Sequence, residues 1–91
     1  MTNVIFRIHA VKRMFQRGLT EGDILQAINH GEVIEVYPND EPYPSSLLLG
    51  KVGSGPIHVV VAENRGDDEV IVVTAYRPDP EKWDNTFKVR R

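Results

Sequence analysis

His9, Arg13 and Arg17 recur at i, i+4 and i+8, so on a helix one imidazole and two guanidiniums line up along the same face. Imidazole is the side chain that trades a proton near neutral pH. The planar fork of arginine matches a phosphate. Together they suit metal-free cleavage of RNA, which needs a base for the 2′-hydroxyl, cations for the growing phosphate charge and an acid for the leaving oxygen. His58, inside the apolar run "IHVVVA", could be the second acid/base group. "VTAYRP" ends with Thr74, Tyr76 and Arg77, where the phenol could orient the phosphate or help move a proton and Arg77 would add a cation. The candidate set is therefore His9, His58 and Tyr76 for catalysis and Arg13, Arg17 and Arg77 for phosphate or RNA, with no metal and no cofactor.

Each of these residues also has a plainer reading. The helix row can be an ordinary solvated face, His58 a structural histidine with its hydrogen bonds satisfied, and Tyr76 and Arg77 rim groups of a sheet. Trp83 in "PEKWDN" can stack on a base or plug the edge of a core. Other chemistries lack a motif. "GKVGSG" carries its lysine at the wrong place for a phosphate loop, and His9, His30 and His58 fall on separate elements without metal-ligand spacing.

The elements that must position these groups follow from periodicity. At about 100° per residue, Ile8, Val11, Met14 and Phe15 share one side of a helix and His9, Lys12, Arg13, Gln16 and Arg17 the other, with Gly18 as terminator. In "LTEGDILQAINHG", Thr20 and Asp23 form a weaker capping box, Ile24, Leu25 and Ile28 the apolar stripe, and Gly31 the end. After Gly31 the period changes to that of strands: "VIEVYP", a proline-restricted loop over 38–44, then "SSLLLGK", "PIHVVVAEN" and "EVIVVTAYRP". Short connections favour antiparallel pairing. The last two strands are apolar nearly throughout and belong at the sheet centre. A three-residue turn at 66–68 would set His58 opposite Tyr76, and a two-residue turn would set it opposite Ala75. "RPDPEKW" reads as a turn or short helix, with "FKVRR" as a tail or late edge strand. The expected fold is α+β, ααββββ: two N-terminal helices on one antiparallel sheet of about four strands.

Ninety-one residues, 41% of them hydrophobic, suit a single domain over residues 1–91. No apolar run approaches the roughly 18 residues of a membrane span, and neither a signal peptide nor a cysteine occurs, so a cytoplasmic location without membrane contact is expected. Eleven cations against thirteen acids give a net charge of −2, which argues against a generic nucleic-acid binder. The distribution is uneven, however. Residues 7–18 hold Arg7, Lys12, Arg13 and Arg17 with no acid, while residues 20–42 hold six acids with no cation.

The ordered set "HAVKRMFQRGLTEGDILQAINHGEVIEVYP", "IHVVVAE" and "VIVVTAYRPDPEKWDNTFKVRR" resembles the bacterial family catalogued as Domain of Unknown Function 4258. The resemblance implies a small protein of the kind often found beside zinc-finger antitoxin-like proteins. Its layout is similar to the RelE and barnase-like ribonuclease toxins, in which helices pack on an antiparallel sheet. The expected function is that of a toxin-like component of a bacterial toxin–antitoxin pair, a metal-independent endoribonuclease. Its partners would be an antitoxin protein and RNA or the ribosome. The alternative is a non-catalytic protein-binding module that explains the segregated charges as complementarity. The two readings separate on geometry: an enzyme needs His9, Arg13 and Tyr76 in one cleft, and a binding module does not.

Overall fold

The computed structural model describes residues 2–91. Its elements run β1 (Asn3–Phe6), α1 (Ile8–Gln16), α2 (Glu21–His30), β2 (Glu32–Tyr37), β3 (Ser45–Val52), β4 (Gly55–Asn64) and β5 (Glu69–Tyr76). The fold is α+β, with a five-stranded sheet in the order β1-β5-β4-β3-β2. The expected all-antiparallel ααββββ layout is corrected at its start: β1 pairs in parallel with β5, Asn3 opposite Glu69 through Phe6 opposite Val72. Four residues in "NVIF" are too few for a readable alternation. They become a strand because the outer edge of β5 is a row of open backbone donors and acceptors. β1 thereby moves β5 inside the sheet and leaves β4 at its centre.

Both helices lie on one face of the sheet. Ala10, Met14, Leu19, Ile24 and Ala27 close over Leu48, Ile57, Val59, Val61, Val72 and Ala75. The apolar stripes expected for the helices need correction. α1 turns Ala10 and Met14 inward and leaves Ile8 and Phe15 77% and 88% exposed, with Val11 at 45%. Arg7 alone joins β1 to α1, and its amide is tied to the Val72 carbonyl, so the strand sets the rotation of the helix. The chain leaves α1 through Gly18 at φ +66°, a left-handed turn that drops Leu19 into the core. In α2, Ile24 and Ala27 are buried, Ile28 packs partly against the core, and Leu25 faces out. Ala27 is inside because α2 meets β3 at Gly50, where an added Cβ would lie 2.5 Å from the Ala27 Cβ. The capping box is present: Thr20 Oγ1 accepts from the Asp23 amide and the Asp23 carboxylate accepts from the Thr20 amide, at 3.1 and 3.0 Å.

The connection between β4 and β5 is longer than either expected turn, running through a 3-10 turn at Arg65–Asp67 with Asp68 at φ 52°. Asn64 therefore pairs with Glu69, and a bulge between Val60 and Val61 shifts the ladder by one. Beyond the bulge His58 stands opposite Tyr76, the register that a three-residue turn would have produced. Residues 77–91 cross the face of the sheet away from the helices as an irregular segment, closed on itself by a bridge between Trp83 and Arg90. No helix is long and apolar enough to cross a membrane.

Candidate functional site

The six candidate residues separate into two groups with the sheet between them. His9, Arg13 and Arg17 sit on α1 over the helix-covered face. His9 is exposed, Arg13 and Arg17 are half-buried, and Arg77 joins them from the end of β5. Its guanidinium donates through Nη2 to the Arg17 carbonyl at 3.4 Å and through Nη1 to Ser54 Oγ at 2.9 Å. Arg17 Nη1 is buried with no hydrogen-bond partner among the described residues. Among the same residues, none of Arg7, Lys12, Arg13, Arg17 and Arg77 is paired with an acid. The ion pairs lie elsewhere, as Arg65 with Glu63, Lys88 with Glu32 and Arg90 with Glu35.

Across the helix from Arg13 and Arg17 runs the apolar stripe of Ile8, Val11 and Phe15, spaced i, i+3 and i+7 along the nine-residue helix. Lys12 lies next to it. Sequence periodicity found these apolar residues but assigned them to the core. The outer side of α1 therefore presents exposed apolar groups with Lys12 beside them and no acid of its own.

His58 and Tyr76 form the other group, on the opposite face of the sheet. His58 is fully buried, and both ring nitrogens are bonded. Nε2 lies 2.8 Å from the Phe87 carbonyl oxygen, which can only accept. Nε2 therefore carries the proton and Nδ1, at 3.2 Å, accepts from the Tyr76 hydroxyl. Trp83, 3% exposed, closes over the imidazole edge-on with ring centroids 4.5 Å apart, and Tyr76 stands edge-on at 5.3 Å. Burial pushes the His58 pKa down and that of Tyr76 up.

Around this centre the C-terminal segment is tied to β2. Arg90 stacks over the Trp83 ring at 4.6 Å and donates from Nε and Nη2 to the two oxygens of Glu35, each at 3.1 Å. Tyr37 donates to the same carboxylate at 2.5 Å. These hydrogen bonds, that of Arg90 first, hold the Glu35 pKa below its usual value, and the carboxylate in turn raises that of Arg90. Burial raises Tyr37. Phe87 adopts φ +60°, unusual for a bulky residue, within the turn that presents its carbonyl to His58. The Asp84 carboxylate, held ionised by bonds from the Thr86 hydroxyl and amide, braces that turn.

His58 is thus sealed from solvent with both nitrogens committed, while His9 is open to solvent on the other side of the sheet. The arrangement does not bring His9, Arg13 and Tyr76 into one cleft. Trp83, Glu35, Tyr37 and Arg90 were not among the candidate residues. The alternation of "EVIEVY" already placed Glu35 and Tyr37 on one strand face, but nothing in it shows which segment covers that face.

The family model described as "Domain of unknown function (DUF4258)" matches residues 6–77. The chain belongs to this family. The match contains α1, α2 and β2 to β5, and it ends at Arg77, before the segment that seals His58. The chain is also similar to a curated isoleucine–tRNA ligase of Campylobacter hominis, 27% identical over 103 residues that cover 98% of this chain. It spans 11% of that protein's length. No solved structure matches it.

Proposed function

We propose that this DUF4258 protein is a non-catalytic binding module whose working surface is the outer face of α1. The observation that carries this reading is the dispersal of the catalytic candidates, with His58 and Tyr76 locked into a structural cluster on one face and His9 and the arginines on the other. What remains on α1 suits recognition: exposed Ile8, Val11 and Phe15 with the unpaired Lys12 beside them, and unpaired Arg13 and Arg17 on the other flank, among the described residues.

A second reading, the toxin-like endoribonuclease, is favoured by one observation. His9 is exposed in line with Arg13 and Arg17, and Arg77 reaches the same end of the helix. On this reading His9 would be the proton-transfer group and the three arginines would hold the phosphate, without His58 or Tyr76. Expression in bacteria separates the two. Wild type and a His9→Ala/Arg13→Ala variant are induced in parallel, and growth and total RNA integrity are followed. The binding module leaves growth and RNA intact in both. Arrest with RNA fragmentation by wild type alone overturns it in favour of the nuclease.

A further inference from the structure

We infer that the α1 surface docks an acidic, amphipathic helix of a different protein. The inference rests on the binding reading above and names its partner.

Ile8, Val11 and Phe15 contribute little to the fold, because Ala10 and Met14 already fill the contact between α1 and the sheet. A phenylalanine 88% exposed and an isoleucine 77% exposed one helical stripe apart are a standing cost in water that a partner would remove. Their i, i+3, i+7 spacing forms a convex ridge, and a ridge is matched by the groove between side-chain rows of a second helix. Lys12 stands against the ridge, one turn from both Ile8 and Phe15, and the exposed His9 lies further round the helix. Residues 7–18 contain no acid, and Lys12 is unpaired among the described residues. Charge complementarity therefore selects glutamates and aspartates flanking the partner's apolar stripe.

Two other occupants fit less well. A second copy placed α1 against α1 would set Lys12 against a surface with no carboxylate to meet it. Placed on α2, it would meet Glu21 and Asp23 but only one exposed large apolar side chain, Leu25, too few to cover Ile8, Val11 and Phe15. RNA would satisfy the cations and could stack a base on Phe15, but it would gain little by covering Ile8 and Val11.

The test uses the full chain as bait for a displayed library of helix-forming peptides with randomised surfaces. The expected winners carry apolar residues at i, i+3 or i+4, and i+7 with acidic flanks. They should bind Phe15→Ser and Ile8→Ser about tenfold or more weakly than wild type, and Lys12→Glu more weakly still at low salt. Both serine variants should melt with wild type, since the replaced side chains are exposed. Failure to enrich any peptide overturns the inference, as do winners that bind Phe15→Ser as tightly as wild type. Two further arms keep that failure distinct from failure of the binding reading. A labelled single-stranded RNA that binds wild type but not Arg13→Ala/Arg17→Ala, or a Phe15-dependent dimer in sedimentation, keeps α1 as a binding surface but replaces its partner. No binding in any arm removes both.

Discussion

Lowering the pH from 6.5 to 5.5 should destabilise this protein through His58. In the native state, Nε2 donates to the Phe87 carbonyl and Nδ1 accepts from Tyr76, so a second proton would remove the acceptor on Nδ1 and place a charge in a fully buried site. Burial, the largest influence, lowers the native pKa; the Phe87 carbonyl, next in size, opposes it, and the charges of Arg90 and Glu35 act in opposite directions with smaller effect. The unfolded chain takes up the proton near the ordinary histidine value of about 6.5. Below that pH the unfolded state binds a proton that the native state does not, so stability falls with pH until the native pKa is reached. One proton gives a slope of at most about 1.4 kcal/mol per pH unit. With a urea dependence of about 1–1.5 kcal/mol per molar for a domain of this size, the midpoint should fall by up to about 1 M over that unit. The assay is a series of urea titrations followed by Trp83 fluorescence between pH 5.5 and 7.5, for wild type and for His58→Gln, which keeps a donor but does not titrate. His58→Gln should start less stable and show a flatter profile. A wild-type midpoint that is constant or rises on acidification, or equal slopes in the two proteins, would refute the assignment of His58 as a buried neutral donor and acceptor.

Two further outcomes test the packing. Trp83→Ala removes the lid over His58 and the platform for Arg90 and should cost about 3–5 kcal/mol by chemical denaturation, a large part of the roughly 5–14 kcal/mol expected for a chain of this length; a loss under about 1 kcal/mol would show that the C-terminal segment is not seated on the sheet. Gly50→Ala drives a methyl into Ala27 and should cost about 1–3 kcal/mol, with Ala27→Gly in the same chain recovering part of it beyond additivity. Absence of such coupling would contradict the close approach of α2 to β3.

Much of the fold was written in local signals. Thr20 with Asp23 announces α2 because its capping hydrogen bonds lie within one turn, Gly18 ends α1 because only the backbone's own sterics are involved, and the four later strands follow from β-rich runs parted by turn residues. The pairing of His58 with Tyr76 was one of two registers open from sequence. The structure reaches it by a longer connection and a compensating bulge, a choice made by the whole ladder and not by the turn.

Amphipathic periodicity locates an apolar stripe but not what lies beneath it. In α1 the tether through Arg7 rotates Ala10 and Met14 inward and leaves Ile8, Val11 and Phe15 outside, so the strongest helical signal in the chain marks a free surface. β1 was invisible because its reason for being a strand lies more than sixty residues away, in the open edge of β5. The same holds for the cluster at His58. Local context singled out His58, Tyr76 and Trp83 one by one, but not Tyr37 or the Glu35–Arg90 pair, and nothing local showed that they meet. Only the return of residues 77–91 across the sheet brings Trp83, Phe87 and Arg90 onto His58 and Glu35, and only that long-range closure decides that His58 is buried and neutral. Sequence alone determined residue chemistry, local caps and the order of most elements, because those depend on neighbours within a turn or two. Which face each side chain meets was decided by tertiary structure, because burial depends on what the rest of the chain places there.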